Sequence, residues 1–143
     1  VAKKRHKMKN RITPEVITTL QPNDIFVFGS NLAGIHGAGA AKQALQFGAT
    51  FGKGIGLVGN TFAIPTKDIQ LKSMLLEDIR IIINAFIFVA IDYPNLTFLV
   101  TKIGCGLAGY TPNDIAPLFK DAINVDNIHL PTEFWEVLNK ENL

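Results

Sequence analysis

Cys105 is the only cysteine in the chain, so no internal disulfide can form. No apolar run is long enough to cross a bilayer, which takes about 20 residues. The most apolar segment, Ile79 to Ile91, is broken by Arg80 and Asn84 and reads as a buried helix. No N-terminal stretch has the apolar centre of a signal peptide, so a reducing cytoplasm is the expected compartment and no membrane partner is expected. His6, His36 and His129 are scattered and predict no metal site. No internal repeat of about 20 to 50 residues and no low-complexity tract is present. Acids are missing before Glu15, whereas Lys3, Lys4, Arg5, Lys7, Lys9 and Arg11 hold six of the 14 Lys+Arg. The remaining eight bases face 12 acids, a net of −4 that leaves no basic body for nucleic acid. Residues 1–11 therefore read as a flexible basic arm and 12–143 as one domain. With 48% hydrophobic content over 143 residues, that domain can bury a core without disulfides or metal.

What is present is an alternation of apolar runs and glycine turns. Pro14 to Leu20 fits either a short strand or a helical turn, and Gln21-Pro22-Asn23-Asp24 is a turn. Ile25-Phe26-Val27-Phe28, with no polar alternation, predicts a strand covered on both faces. After Gly29-Ser30-Asn31, a glycine-rich loop leads into helical spacing at Ala40, Ala41, Ala44 and Leu45, with Gly48 at its end. Phe51 to Gly59 reads as a surface loop, and Thr61 to Ile64 as a strand stopped by Pro65. Leu71, Met74, Leu75, Ile79, Ile82, Ile83, Phe86, Ile87 and Ala90 recur at the intervals of one long helix. Leu96 to Ile103 is the next strand, and Ile115 to Ile123 the next helix. Asn127 to Leu130 is a short strand, and Thr132 is in place to cap a last helix. Such alternation predicts an α/β fold with a largely parallel sheet between helical layers, its ligands bound at the carboxyl ends of the strands.

Lys102-Ile-Gly-Cys-Gly-Leu-Ala-Gly-Tyr110 sits at one such end, before the helix start Thr111-Pro112-Asn113-Asp114. Exposed backbone N–H groups beside the positive end of a helix suit an anion, phosphate above all. The plain alternative is a tight turn that needs glycine and holds nothing. The Gly37-Ala38-Gly39 turn and Lys67 follow two other strands, so three loops can converge on one crevice.

Asn31, then His36-Gly37-Ala38-Gly39-Ala40-Ala41-Lys42, then Ile64-Pro65-Thr66-Lys67, then Ile103-Gly104-Cys105-Gly106-Leu107 together resemble a macro domain. They are most similar to the branch typified by terminal ADP-ribose protein glycohydrolase and the antitoxins that remove ADP-ribose from DNA. The resemblance covers residues 24 to 130. It implies a three-layer α/β/α macro-like domain with a mostly parallel mixed sheet, binding ADP-ribose or a related NAD-derived nucleotide without a further cofactor. Gly104, Cys105, Gly106, Leu107, Ala108, Gly109 and Tyr110 would wrap the diphosphate, with Tyr110 against a sugar or base. Gly37 and Gly39 would close from the other side, with His36 beside them. Ser30 and Asn31 would lie by the distal ribose.

Two departures bear on activity. Asn23-Asp24-Ile25 stands only seven positions before Asn31, too near for the family's adenine-reading aspartate. Lys67 matches the nucleophile of the resembled glycohydrolases, but Ala108 stands where their assisting aspartate is expected, leaving Asp68 or His36 as substitutes. From the residues alone, Lys67 is a surface partner of Asp68, a substrate-positioning cation, or a covalent nucleophile. His36 is a solvent-edge residue or a general base. Cys105 is a small loop residue more readily than a thiolate, since no histidine is suggestively spaced. Two functions follow: an ADP-ribose-binding domain able to hydrolyse an ADP-ribosyl bond, or a non-catalytic reader of an ADP-ribosylated macromolecule or a signalling nucleotide. A nucleic-acid partner through the basic arm ranks last.

Overall fold

The computed structural model describes residues 10–141. Among them, five strands make one sheet in the order β2-β3-β1-β4-β5. They are β1 (Asp24–Asn31), β2 (Gly56–Val58), β3 (Thr61–Lys67), β4 (Thr97–Val100) and β5 (Ile128–His129). The pairs β1–β3, β1–β4 and β4–β5 are parallel, and β2 adds an antiparallel edge to β3. The helices are α1 (Gly39–Ala44), α2 (Leu76–Asp92), α3 (Pro112–Ile115) and α4 (Thr132–Glu141). Short 3₁₀ helices continue α1 over Leu45–Phe47 and α3 over Ala116–Ala122.

Side chains alternate across a strand, so the central strands divide between two cores. Ile25, Val27, Phe62, Ile64, Phe98 and Val100 face one side, where they meet α2, the segment Ile115–Ile123 and α4. Phe86 of α2 lies at the middle of this core, with ring centroids 5.0 Å from Phe62, 5.5 Å from Phe98 and 6.5 Å from Phe119. All three pairs are edge-to-face, each contributing about 0.5–1.5 kcal/mol beyond burial. Phe26, Phe28, Ala63 and Leu99 face the other side, against Ala41 and Ala44 of α1 and against Ile17. Helices on both sheet faces make this the expected α/β/α layering.

Several local expectations are corrected. Pro65 does not stop β3, which runs on to Lys67. The antiparallel neighbour β2 pairs only as far as Ala63, and the parallel register with β1 shifts between Ser30 and Asn31, so the missing N–H of Pro65 falls where the ladder is already irregular. Within the expected surface loop, Gly56 to Val58 forms β2. The long helix begins at Leu76 rather than Leu71, because residues 68–75 fold into a loop in which Leu71 takes φ 63°. Asp68 holds that loop, its Oδ1 accepting from the N–H groups of Gln70 at 2.9 Å and Lys72 at 3.0 Å. Pro14 to Leu20 forms neither strand nor helix, and Thr132 is the first residue of α4 rather than its cap.

The largest correction concerns Arg11. Residues 1–9 of the expected arm lie outside the described residues, but Arg11 is only 6% exposed. Its guanidinium donates to the carbonyls of Ile128, Ile123, Ala122 and Val125 at 2.7–3.0 Å and lies 5.0 Å from the centre of the Trp135 ring. Trp135 Nε1 donates in return to the Arg11 carbonyl at 2.8 Å. Arg11 therefore belongs to the fold, joining the first described residues to the end of the 3₁₀ turn and to α4.

Candidate functional site

The chain leaves β1 toward α1 on one face of the sheet, and leaves β3 and β4 toward helices on the opposite face. Loops that diverge from neighbouring parallel strands open a crevice at their carboxyl ends. A cavity of about 660 Å³ lies there, lined by Gly29 and Ser30 after β1, Gly37 to Ala41 at the start of α1, Thr66 and Lys67 at the end of β3, and Thr101 to Ala108 after β4. Residues some 70 positions apart in sequence share one wall.

The turn after β4 is built by its own backbone. Cys105 N–H donates to the Lys102 carbonyl at 3.1 Å, Gly109 N–H to Gly106 at 3.0 Å, and Tyr110 N–H to Gly104 at 2.9 Å. The N–H groups of Gly106, Leu107 and Ala108 have no acceptor among the described residues. The N–H groups of Gly39, Ala40 and Ala41 also precede the first helical bond, Lys42 N–H to Ala38 at 3.2 Å. These two sets of donors frame the cavity. The helices behind them are short: α1 has six residues and α3 four before it tightens to 3₁₀. Helix dipoles therefore add little, and the donors around the cavity are mainly those of the loops rather than of a helix end. Thr111 starts α3, with Asp114 Oδ2 accepting from its N–H at 2.9 Å and its hydroxyl at 3.0 Å.

Of the residues singled out from sequence, Ser30, Gly37, Gly39, Lys67, Gly104, Cys105, Gly106, Leu107 and Ala108 line the cavity. Asn31, His36, Gly109 and Tyr110 do not. Asn31 closes its own loop, Nδ2 donating to the Ile35 carbonyl at 2.7 Å and Oδ1 accepting from Ile35 N–H at 3.0 Å. His36 is not at the solvent edge but 1% exposed. Its ring lies between Phe28 and Phe51, at 5.4 and 5.7 Å, and its Nε2 donates to the Thr50 carbonyl at 2.9 Å. Its Nδ1 is buried and has no partner among the described residues. Tyr110 turns its hydroxyl away to the Met74 carbonyl, and Ser73 donates to the Ala108 carbonyl at 2.6 Å, so the 68–75 loop braces the glycine turn. Ser30 donates its hydroxyl to the Gly54 carbonyl. Asp68, occupied in its own loop, does not line the cavity with Lys67.

Thr66 and Lys102 stand within the stretches singled out from sequence but were given no site role, and Gly29, Ile35, Thr101 and Ile103 also line the cavity. The position of Thr66, Thr101 and Lys102 directly at the ends of β3 and β4 was the available signal. Lys102 Nζ lies 2.5 Å from Glu133 Oε2, both side chains being about two-fifths exposed. That hydrogen bond raises the Lys102 pKa and lowers that of Glu133. Lys102 also borders a second cavity of about 510 Å³, whose lining includes Thr13, Phe26, Gln43 and the carboxylates Glu15, Glu133 and Glu136. The hydroxyl of Thr13 in that wall is buried without a partner among the described residues.

Cys105 is a thiol at neutral pH. Desolvation, reinforced by the Asp114 carboxylate, pushes its pKa up to about 11. At pH 8 the folded protein is expected to react with iodoacetamide on the order of 100-fold more slowly than the urea-unfolded chain, whose thiol titrates near 8.5. The folded state binds more protons than the unfolded state between those values, so the thiol's share of stability declines as pH rises from about 8.5 toward about 11. A pH series of alkylation rates checks this. Equal folded and unfolded rates at pH 8 would show that the thiol is not desolvated.

Among the described residues no helix is long and apolar enough to cross a membrane, and no three His, Cys, Asp or Glu side chains gather in a metal-holding group. No family model matches the chain, and neither does a curated protein or a solved structure.

Proposed function

We propose that the protein binds ADP-ribose or a related NAD-derived nucleotide in the crevice at the carboxyl ends of β1, β3 and β4. The observation that carries this is the meeting of three sequence-distant loops around one cavity, with backbone N–H groups of the 106–108 turn that have no acceptor among the described residues. A diphosphate is held well by several backbone donors, because they approach it closely without the desolvation cost of burying fixed cations. The adjoining second cavity, which shares Thr101 and Lys102, gives room for the rest of an elongated nucleotide. The resemblance to macro domains supports the same ligand.

Binding without turnover is favoured over hydrolysis. The titratable side chains lining the main cavity are Lys67, Lys102 and Cys105, with no carboxylate or imidazole among them. A lysine nucleophile needs an acid or base partner to complete a glycosyl transfer to water. Lys67 then acts as a cation at the mouth, and the partner is an ADP-ribosylated macromolecule or a free nucleotide.

Isothermal titration with ADP-ribose, using AMP and NAD as controls, tests the reading. Micromolar binding to ADP-ribose is expected. Heat from none of the three would overturn it. Hydrolysis is tested separately on an ADP-ribosylated protein, where no release is expected. Release that disappears in Lys67→Ala would restore the catalytic reading.

A further inference from the structure

We infer that Lys102 is a movable cation that leaves Glu133 for a phosphate bound on the 104–108 turn, making the crevice selective for polyanions; this rests on the anion-binding reading above. Lys102 is the residue whose carbonyl receives the Cys105 N–H, so its backbone is fixed at the foot of the glycine turn. Its side chain borders both cavities and ends 2.5 Å from Glu133 in the wall of the second. A lysine on that foot has four flexible carbons with which to swing from one cavity to the other. What it leaves is an exposed, single-point ion pair, which is weak. What it gains is a charge-assisted bond to phosphate beside the N–H groups of Gly106, Leu107 and Ala108, which have no acceptor among the described residues. Lys67 occupies the opposite, β3 side of the cavity, so the two cations would hold an anion from two directions.

The exchange also has an effect in the second cavity. Glu133, once released, joins Glu15 and Glu136 as an acceptor beside the Thr13 hydroxyl, which has no partner among the described residues. Filling one cavity with phosphate thus prepares the other for a group that donates hydrogen bonds. An uncharged ligand gives Lys102 no reason to move and gains nothing from this arrangement.

The test is isothermal titration of the whole chain with inorganic pyrophosphate and with ADP-ribose, using adenosine as the uncharged control. Lys102→Gln is expected to weaken pyrophosphate about 10-fold, and Glu133→Gln, which frees Lys102, to tighten it about threefold. The double variant should match Lys102→Gln, because without the lysine the carboxylate has nothing to hold back. Any heat seen with adenosine should be the same in wild type and Lys102→Gln. Unliganded melting temperatures should stay within about 2 °C of wild type, since the pair is exposed. If the wild type binds pyrophosphate while Glu133→Gln binds it equally or more weakly, the inference is wrong and the anion site stands. If the wild type binds neither pyrophosphate nor ADP-ribose, the anion reading falls and takes the inference with it.

Discussion

Arg11→Met is expected to lower the free energy of unfolding by about 3–5 kcal/mol, a large share of the stability of a domain this size. Methionine roughly fills the space but donates nothing. Four carbonyls, those of Ala122, Ile123, Val125 and Ile128, then lose the guanidinium, although Ala122 and Val125 keep the N–H groups of Val125 and Ile128, each at 3.0 Å. Hydrogen bonds from one charged donor contribute about 1.5–3 kcal/mol each and several are lost together, which is why the loss exceeds that of one ordinary hydrogen bond. The stacking on Trp135 is lost as well. Arg11→Lys should recover less than half, because an ammonium cannot present a planar fork to several carbonyls at once. Urea unfolding followed by Trp135 fluorescence measures both variants. A loss under about 1 kcal/mol for Arg11→Met would mean that the carbonyls find other donors.

The second large effect separates binding from stability within one turn. Gly106→Glu is expected to abolish ADP-ribose binding, at least 100-fold by titration, with little change in melting temperature. A Cβ at Gly106 meets nothing within 4 Å, so the backbone accepts the side chain, and the added carboxylate stands among the 106–108 N–H groups, where it would repel the proposed diphosphate. Gly104→Ala should do the reverse two residues earlier. Gly104 takes φ 76°, and a Cβ there would lie 2.9 Å from Ile115 Cδ1. Strain and clash together should cost about 1–3 kcal/mol of stability. Unchanged ADP-ribose affinity in Gly106→Glu would move the ligand off this turn.

The parts of the fold that were legible in the sequence are those whose local signal agrees with the tertiary answer. Ile25 to Phe28 and Phe62 to Ile64 are unbroken apolar runs, and both lie in interior strands of the sheet with each face covered. The failures have physical causes. The apolar period runs back to Leu71 and Met74 although the backbone there is already a loop: Met74 packs on the core from that loop as it would from a helix, whereas Leu71 is exposed and matches the spacing without being buried. β2 consists of one glycine and two apolar residues, and its existence depends on β3 offering an edge. Arg11 looked like the sixth charge of a basic arm because nothing local distinguishes it. Its four acceptor carbonyls lie more than 110 positions away. The site divides in the same way. Glycine turns are local and were visible, whereas the Lys102–Glu133 pair forms only because the turn after β4 comes beside the start of α4.

The buried Arg11 also sets the order in which the chain can complete itself on the ribosome. β1, β3 and α2 can pair as soon as they emerge, but Arg11 must wait until the segment from Ala122 to Trp135 has been made. Until then the guanidinium stays hydrated and the Ile12–Leu130 bridge is open. Closing so long a loop is an entropic step taken late, when most of the core has already formed. A nascent chain arrested before Trp135 would thus carry a sheet lacking this lock, and emergence of α4 would be the event that lets it close.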